Sequence, residues 1–540
     1  MNKNKTQYVK NILLPLLLFS VMTGVLTGVV IFAFKLASSA VIELSGDIYA
    51  FVRATPALIP VLIVGAAVIG LVAAIILCID PDCRGGGIPT AIATLQGATV
   101  IQKTFSLPII FLSSLLTYLC GVPLGTEGPS VQMGTVVGWI TSKTLGKNQP
   151  AWERYIMTGG ACAGFAAATG APLTGILFAF EEAHRRFSAM IFMMASMTVA
   201  VCMAVVELLC TWAGISSSLF GFGISVVMPL KYIALALFVG IICGFWAIVF
   251  TKTYRSVRRA LIKYASKIPF IVKVVLVFVL VSVIGLICGE CIGTGHHLVE
   301  ELLYGHGVWY FLLIFFCVRA ILLIVANNEG ITGGLFVPSL AFGAILGALC
   351  GDFFVFIGVL PQEYYIIMVV VGMASFLSAS SRTPITALAF AVEALACANN
   401  MLPVTLGVTV AFAVIEVVGI HSFTDEIVDT KIEARNYGRR VCSIDVDLTV
   451  KEGSFVVGKE IRDILWPPSC VVVSVSNSPE ARTHGGLHEG DVLHIHYRTA
   501  HPEYTREKLE DLVGKQSEVK PSDCVCEKIE TEQELQKAEK

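Results

Sequence analysis

Charged residues are scarce in this sequence. Asp, Glu, Lys and Arg make up 14% of its 540 residues, and the formal net charge is −2. Hydrophobic residues make up 55%, so the composition excludes an ordinary soluble domain and indicates an integral membrane protein. The sequence has no long basic stripe, so a nucleic-acid partner is not expected.

Sequence patterns of catalysis are also missing. The chain has no HExxH metal pattern and no nucleophile–base set, so we do not expect an enzyme. Its 16 cysteines are scattered without a paired framework, which is typical of small buried hydrophobic residues, and no metal site is assigned. An intramembrane enzyme or a tethered receptor is a distant alternative that would have to use Glu127 and Glu182 as an acid/base pair.

Long apolar runs are abundant. Glycine, proline and small polar residues interrupt four shorter runs, which indicates helices broken at membrane depth. These lie near 160–180, 334–350, 364–378 and 384–397. Seven other runs are long enough to cross a bilayer as helices, so the sequence predicts an all-α polytopic membrane protein. They span about 12–37, 57–79, 105–124, 188–213, 229–251, 271–289 and 308–326.

Both ends of the chain differ from this apolar part. Basic residues favour a cytoplasmic segment at 1–10, with the membrane domain at 11–430. From about residue 425 charged residues become dense, and CVVVSVS and DVLHIHYR are typical of short strands. We predict a small soluble α/β or β-rich domain here, followed by a charged tail, 516–540, that is a solvated helix or disordered.

The sequence contains an internal repeat. GTEGPSVQMG, which begins at Gly125, shares its Gly, Pro and Gly spacing with GLFVPSLAFG, which begins at Gly334. APLTGILFAFE from Ala171 resembles TPITALAFAVE from Thr383. Two matched pairs in the same order indicate a duplication, and transporters built from repeats place their site where the repeats meet. The predicted halves are about 10–220 and 228–425.

One carboxylate, Glu127, lies inside a stretch of sequence that is apolar enough to lie within a membrane. An ionisable group in hydrocarbon costs several kcal/mol by most estimates, so it persists where it faces a cavity, a partner or a moving ion. Glu127 is therefore a candidate functional residue.

Three short motifs combine glycine with a proline that precedes a helical run: GGGIP (85–89), GTEGP (125–129) and GLFVP (334–338). Proline suits the first turn of a helix, and glycine lets backbone N–H groups approach an ion. Helix N-termini carry unpaired donors and partial positive charge, so three that converge would bind an anion without Lys or Arg. The alternative is that these residues only kink or pack membrane helices.

GGGIP, GTEGPSVQ, GAPLTGILFAFEE and GGLFVP, in this order, resemble motifs of the CLC family of chloride channels and proton-coupled anion antiporters, over roughly residues 10–430. The resemblance implies an inverted-repeat helical fold and homodimers with a pore in each subunit. It implies that Glu127 is the external gating glutamate, which occupies the anion site when deprotonated and admits an anion when protonated. Anion and proton binding are then linked.

Glu182 matches the internal proton-transfer glutamate of the antiporters. Its alternative interpretation is a solvated charge at a helix end beside three basic side chains of the segment HRR. Glu181 and Glu393 are expected to be structural ion-pair or capping partners. The residues that the resemblance assigns to the anion site are Gly86, Gly87, Ile88, Glu127, Gly128, Leu335, Phe336, Val337 and Thr424.

The sequence departs from the family pattern at three positions. Gly86 stands where many members have a serine hydroxyl, and Phe423 or Thr424 stands where they have a tyrosine. Each lost hydrogen bond to a charged group is worth roughly 1.5–3 kcal/mol, so the departures put chloride selectivity and tight coupling in question. Thr126 stands where arginine is frequent.

Residues 441–515 resemble the TrkA-C or RCK-C regulatory module of potassium-uptake proteins, through SFVVGKEIRDILWPPSCVVVSV and GGLHEGDVLHIHYR. Such modules bind small ligands or dimerise, so we hypothesise a cytoplasmic sensor. His494 and His496 alternate on a strand and are expected to be structural rather than metal ligands.

The leading hypothesis is a multi-pass transporter of the inner cell membrane that exchanges chloride, or a similar inorganic anion, for protons. Its alternatives are a passive voltage- or pH-gated channel, a leaky exchanger, and an antiporter for another anion such as fluoride. No cofactor is expected beyond bound chloride. The expected partners are the anion, protons, the lipid bilayer, a second copy of the chain and a small-molecule ligand of the C-terminal domain.

Overall fold

The computed structural model describes residues 12–97, 99, 104–147, 149–220, 223–224, 226–305, 307–436, 439–476, 486–516 and 522–528. The predictions for 1–10 and for most of the tail fall outside these residues. The described part holds 18 α-helices and one four-stranded sheet near the C-terminus. The predicted fold class, a helical membrane protein with a small C-terminal α/β region, is therefore confirmed.

The α-helices fall into two halves, which are separated by the stretch between Ala213 and Ala234. The first half contains α1 (Leu14–Ala54), α2 (Ile59–Ile79), α3 (Gly87–Leu95), α4 (Ser106–Leu119), α5 (Glu127–Thr144), α6 (Glu153–Thr169), α7 (Pro172–Phe178) and α8 (Ala189–Ala213). The second half contains α9 (Ala234–Ala265), α10 (Phe270–Ile287), α11 (His296–Tyr304), α12 (Trp309–Asn328), α13 (Phe336–Phe356), α14 (Tyr365–Ser381), α15 (Pro384–Glu393), α16 (Met401–Val418) and α17 (Phe423–Asn436).

Burial divides these helices into an outer and an inner set. Within the described chain, nine helices are long and apolar enough to cross a membrane. The outer helix α2 exposes apolar side chains such as Val64 and Ile75, and a water-soluble protein would bury such a face. The inner helix α14 is almost entirely buried. The outer set therefore faces lipid, and the inner set forms a core.

Two runs that the sequence analysis predicts as broken are continuous helices, α13 and α14. Their glycines serve contact between helices rather than interruption. A Cβ on Gly372 would lie 2.3 Å from the carbonyl oxygen of Gly343, so only glycine permits this close approach. The run near 160–180 is indeed divided, since α6 ends at Thr169 and α7 begins at Pro172, and the run near 384–397 holds only the short helix α15, which ends at Glu393.

The first apolar run also differs from its prediction, because α1 continues beyond residue 37 to Ala54. The added turns are less apolar and contain Ser38, Ser45 and Gly46, which line a water-accessible cavity. Hydropathy falls there because one face of the helix contacts that cavity rather than lipid.

The two halves cap each other's short helices. A π-helical turn, Ala179–Ala183, continues α7 and places Glu181 so that its carboxylate accepts from the N–H groups of Ile385 and Thr386 at 2.8 and 2.6 Å. Glu393 accepts from Leu173 and Thr174 in the same way, at 2.7 and 2.8 Å. The predicted capping role of both glutamates is confirmed. Each carboxylate compensates the positive end of the helix that it meets.

The C-terminal domain is an antiparallel sheet in the order β2–β3–β1–β4, with one helix. Alternating residues of its strands form a separate apolar core with α18, the helix of this domain. The elements are β1 (Arg440–Thr449), β2 (Cys470–Ser476), β3 (Val492–Thr499), α18 (Pro502–Val513) and β4 (Ser522–Lys528).

His494 and His496 pair across the strands with Asp447 and Asp445, at 2.5 and 2.7 Å, which supports a structural role for both histidines.

The charged tail contributes β4, which pairs with β1, so the prediction of a solvated helix or disorder is wrong for 522–528. Pairing with an existing strand supplies hydrogen bonds that composition does not reveal.

Candidate functional site

The three glycine–proline motifs meet inside the membrane domain. Gly125 and Gly334 exchange both backbone hydrogen bonds, at 2.7 and 2.6 Å. The N–H of Gly87 donates to the carbonyl of Gly333 at 3.3 Å. Since α3, α5 and α13 begin at these motifs, three helix N-termini converge, and their partial positive charges favour an anion.

Glycine is required for this convergence. A Cβ on Gly87 would lie 2.0 Å from the carbonyl carbon of Gly128, and a Cβ on Gly128 would lie 2.5 Å from the Cα of Gly334. Backbone therefore packs directly against backbone. The motifs form one site rather than three independent kinks.

Glu127, the first residue of α5, places its carboxylate among these helix starts and is fully buried. The hydroxyl of Thr126 donates to Oε1 at 2.8 Å, and the N–H of Val337 at the start of α13 also donates to the carboxylate. Oε2 has no hydrogen-bond partner among the described residues. The side chain thus fills a position that suits an anion, and one of its oxygens is available to a proton.

A cavity of 860 Å³ leads to Glu127. It is lined by polar side chains that include Lys35, whose Nζ donates to the carbonyl of Ser217 at 2.6 Å. Lys35 contributes positive charge to the cavity that leads to the site. Thr126 lines the same cavity and stands where arginine is frequent in the family that the sequence resembles.

Glu182, on the π-helical turn, is buried, and the hydroxyl of Thr424 donates to its carboxylate. The neighbouring Arg185 forms an ion pair with Asp425 instead of with Glu182. The interpretation of Glu182 as a solvated helix-end charge is therefore wrong. A π-helical turn often occurs at functional positions, because it redirects side chains from their regular spacing.

The two buried carboxylates are approached from opposite ends of the membrane domain. The long helix α1 packs Phe19 against Trp152 at one end, beside the C-terminal domain. At its other end Tyr49 lines the cavity that reaches Glu127. The 41 residues of α1 span roughly 60 Å. Ala183, next to Glu182, faces the C-terminal domain.

The second-half motif contributes backbone and a buried ring. The ring of Phe336 contacts Phe165 and Phe390 edge to face, with centroids 5.0 and 4.9 Å away, and the flanking Leu335 and Val337 are buried. In the first half Ile88 is buried as well. These side chains are core residues that fix the helix starts, so their N–H groups are the available donors.

Asn327 is a residue of this site that the sequence analysis missed. A Cβ on Gly86 would lie 2.9 Å from Asn327 Nδ2, and this buried amide nitrogen has no hydrogen-bond partner among the described residues. Its Oδ1 accepts from the hydroxyl of Tyr254 at 3.3 Å, and the Tyr254 ring packs against Phe423. The available signal was an amide pair, Asn327 and Asn328, that closes an apolar run.

Comparisons with known proteins agree with this geometry. The chain resembles a crystal structure described as a slow cyanobacterial Cl⁻/H⁺ antiporter, with a TM-score of 0.70 and 22% identity over 78% of this chain and 99% of that chain. It also resembles a eukaryotic CLC transporter, with a TM-score of 0.65 and 21% identity over 78% of this chain and 74% of that chain. A CLC-type fluoride/proton antiporter matches with a TM-score of 0.61 and 20% identity over 74% of this chain and 95% of that chain.

These identities establish the fold. The sequence itself also matches a family model, which is described as voltage gated chloride channel, over residues 65–416. That match covers more than half of the chain, including all three glycine–proline motifs and both buried carboxylates. The chain therefore belongs to the CLC family of voltage gated chloride channels.

Proposed function

We propose that this protein is a secondary active transporter that exchanges an inorganic anion, chloride first, for protons. The observation that carries the proposal is a buried carboxylate, Glu127, held among converging helix N-termini, with a second buried carboxylate, Glu182, toward the other side. Both anion and proton can use the first position, whereas only a proton can use the second. The function is transport, not enzymatic catalysis.

At the outer position, Glu127 and the anion compete for the same N–H donors. The ionised carboxylate binds them through its negative charge. Once protonated, Glu127 loses that charge and leaves the donors to an anion from the outer cavity. Each proton taken up then favours anion binding, and each bound anion favours protonation, because the two equilibria are linked.

At the inner position, Glu182 passes protons to and from the side of the C-terminal domain. Its burial keeps water and free ions from crossing the membrane without the coupled exchange. Thr424 donates to this carboxylate, so we assign Thr424 to the proton path, although the resemblance implied an anion-site residue.

We further propose that Asn327 supplies the side-chain donor that Gly86 lacks. The Asn327 amide nitrogen lies next to the position that a side chain on Gly86 would occupy, and it has an unused N–H group. Tyr254 holds the amide oxygen. A hydrogen bond from this buried amide to the anion therefore compensates for the absent serine hydroxyl.

The proposed location is the inner cell membrane, with the C-terminal domain in the cytoplasm. Support comes from the basic end of α9, where Arg255 and Arg258 pair with Glu426 and Glu433 of α17. Basic residues favour the cytoplasmic side, and α17 leads directly into the C-terminal domain. We also propose a homodimer and a regulatory module of TrkA-C or RCK-C type.

A leaky exchanger or passive channel is the second candidate. The specific observation that favours it is the packing of Phe423, which stands at one of the two possible tyrosine positions and whose ring lies against Phe250 and Tyr254. No hydroxyl from that position can narrow the inner path. A fluoride antiporter differs only in the anion, and the same experiment distinguishes it.

The test is anion efflux from proteoliposomes, with chloride or fluoride inside and external pH recorded at the same time. Wild-type protein should move protons uphill when an anion gradient drives it. Glu127→Gln should continue to conduct the anion without moving protons. Glu182→Gln should also lose proton movement, since the inner acceptor is gone.

The matched control is Glu43→Gln, an exposed carboxylate that lines the same outer cavity. It should retain both fluxes. Rapid wild-type anion flux with no proton movement would instead establish the channel and leave Glu182 as a structural charge. A larger proton-coupled flux with fluoride than with chloride would identify the fluoride antiporter.

A further inference from the structure

Lys431, in the second half of helix α17, is a partly buried lysine that has no carboxylate partner. Its Nζ donates to the carbonyl oxygen of Arg84 at 2.8 Å. It forms no ion pair with any residue in the part of the chain that the structure describes. An ammonium that loses water is normally paired, because burial of an unpaired charge costs free energy. The positive charge of Lys431 is therefore available to an ion from outside the protein.

The other charged residues of α17 do not neutralise Lys431. Asp425, Glu426 and Glu433 pair with arginines of other segments. Asp429 lies two residues before Lys431, which places it about 200° away around the helix. The acids of α17 are thus either engaged or on another side.

The segments that pack against α17 leave the charge around Lys431 positive. Helices α3 and α14 contribute no charged side chain, and their one ionisable group is Tyr365 at the start of α14. The segment before α3 brings Asp82, Cys83 and Arg84 close to Lys431. Burial raises the pKa of the Cys83 thiol, which is therefore neutral. The charges of Asp82 and Arg84 oppose each other, so the ammonium of Lys431 decides the sign.

Lys431 lies beside the first glycine–proline motif. A Cβ on Gly85 would lie 3.9 Å from Lys431 Nζ, and among the described residues only Lys431 has atoms within 4 Å of that position. The next residue, Gly86, adjoins the amide of Asn327. The ammonium thus stands one residue before the position where we propose that Asn327 holds the anion.

The face of α17 that carries Lys431 continues to the inner carboxylate. Thr424, whose hydroxyl donates to Glu182, precedes Lys431 by seven residues. Seven residues are close to two helical turns, so both side chains lie on one face, roughly 10 Å apart along the axis. Ile427 and Val428, between them, are buried. This face therefore borders the interior of the membrane domain.

We propose that Lys431 supplies the positive charge that draws an anion from the side of the C-terminal domain to the first glycine–proline motif. A single charge of this kind raises the local concentration of anions at the entrance of their path. Thr424 and Lys431 then give one face of α17 a group for each ion, the proton at Glu182 and the anion at Gly85. This role rests on the proposed function, in which an anion crosses the membrane domain.

The charge of Lys431 changes within an accessible pH range. Burial lowers its pKa from 10.5 to about 8; Asp82 and Cys83 oppose this shift and Arg84 adds to it. Below pH 8 the ammonium attracts the anion, and as pH rises through 8 the amine becomes neutral and the attraction is lost. Arginine in its place stays charged throughout. A bound anion raises the pKa of the amine, so the midpoint belongs to measurements at low chloride.

The flux test uses Glu127→Gln protein in proteoliposomes, because this variant removes the titrating gate and is expected to conduct the anion. Anion flux should fall by about tenfold from pH 6.5 to pH 9.5, with a midpoint near 8. Adding Lys431→Arg should keep the flux high at every pH, and adding Lys431→Met should keep it low. The matched control is Lys267→Met, at an exposed lysine between α9 and α10, which should keep the original profile.

The binding test titrates chloride into full-length protein in detergent at pH 7, followed by calorimetry. Lys431→Met should weaken chloride binding by about tenfold, and Lys431→Arg should bind like wild type, because only the charge is required. The difference between Lys431→Met and wild type should shrink as ionic strength rises. The pH profile of flux keeps Lys431 in place, so it tests the proposal even if Lys431→Met does not fold.

The outcomes separate this role from the proposed function. A flux that stays constant through pH 8, with chloride binding unchanged in Lys431→Met, overturns the role of Lys431 and leaves the exchange intact. Equal weakening in Lys431→Met and Lys431→Arg also overturns it, since the residue is then structural. A protein that transports no anion, yet binds chloride more weakly in Lys431→Met alone, refutes the proposed function and supports the attraction by Lys431.

Discussion

At the scale of single residues, the proposed hydrogen bond from the amide of Asn327 to the anion gives the first prediction. We predict that Asn327→Leu, which keeps the volume and removes the donor, weakens chloride binding by about tenfold, as expected for one hydrogen bond to a charged group. Calorimetric titration of chloride measures this directly. Asn328→Leu is the matched control, because the neighbouring amide donates to the carbonyl of Ile324 at 2.8 Å and not to the site.

A second-site variant separates lost binding from general damage. Gly86→Ser alone should weaken binding, since its Cβ would lie 2.9 Å from the Asn327 nitrogen and displace the amide. Combined with Asn327→Ala, the same serine has room, and its hydroxyl should restore most of the affinity. If the double variant binds no better than Asn327→Ala, the hydroxyl and the amide do not serve the same position.

Single residues differ in how readily the sequence reveals them. Glu127 and the glycines around it could be identified because each motif is local: glycine, carboxylate and proline are adjacent along the chain. Asn327 could not, because its relation to Gly86 depends on how two distant segments fold together. The sequence shows that Gly86 replaces the serine of the family pattern, whereas only the structure shows that the Asn327 amide lies beside it.

At the scale of secondary structure, the reciprocal caps couple the two halves. We predict that Glu181→Ala and Glu393→Ala each lower the free energy of unfolding by about 1–2 kcal/mol, because each leaves two helix-start N–H groups without their acceptor. The thermal midpoint of the detergent-solubilised protein reports the change. Glu433→Ala, which breaks an exposed pair with Arg258 at 3.5 Å, should have little effect. Equal losses in all three variants would contradict the capping argument.

The errors among the predicted elements have a common physical cause. Glycine in the runs of α13 and α14 predicts broken helices, yet Gly343 and Gly372 allow two intact helices to touch. Hydropathy ends the first helix before the polar turns that extend α1, although these turns face a cavity. The β4 segment has too few apolar residues to predict a strand, and β1 supplies its pairing. In each case the partner surface, absent from local sequence, determines the outcome.

At the scale of the whole molecule, the sequence separates the two domains but does not indicate how they dock. The change in composition after residue 425 locates the boundary, and the strand runs predict a sheet. The docking depends on backbone carbonyls near Asp463 and Trp466, which carry no side-chain signal.

Lys459 makes the docked state sensitive to pH. Burial lowers the pKa of Lys459 from 10.5 to about 7, and its Nζ lies 3.3 Å from the centroid of the Phe455 ring, which in turn packs against Trp152. Between pH 7 and pH 10.5 the unfolded C-terminal domain binds more protons than the folded domain, so the free energy of unfolding rises with pH. The slope of the free energy of unfolding against pH should approach 1.4 kcal/mol per pH unit, which corresponds to roughly one proton.

Denaturant unfolding between pH 6 and 10 measures this slope. Lys459→Met should be more stable than wild type at pH 6 and should lose the rise with pH, because no buried amine remains to be neutralised. Arg462→Met, at an exposed side chain of the same segment, is the control and should keep the wild-type slope. A wild-type profile that is flat above pH 7 would show that Lys459 stays charged in the folded domain.

The hydroxyl of Tyr155 is the most economical test of docking, because it bonds to two backbone groups of the C-terminal domain at once. Tyr155→Phe keeps the ring and leaves the Asp463 carbonyl and the Leu465 N–H unpaired, so undocking should become easier by tenfold or more, on the order of one or two lost hydrogen bonds. Amide exchange of residues 463–466 should accelerate accordingly. Tyr49→Phe, which loses bonds of 2.9 and 3.0 Å to Cys120 and Ser282 at the opposite end of the membrane domain, should leave that exchange unchanged. Faster exchange in both variants would indicate general loosening, and slow exchange in both would place the docking energy in the aromatic contacts of Phe455.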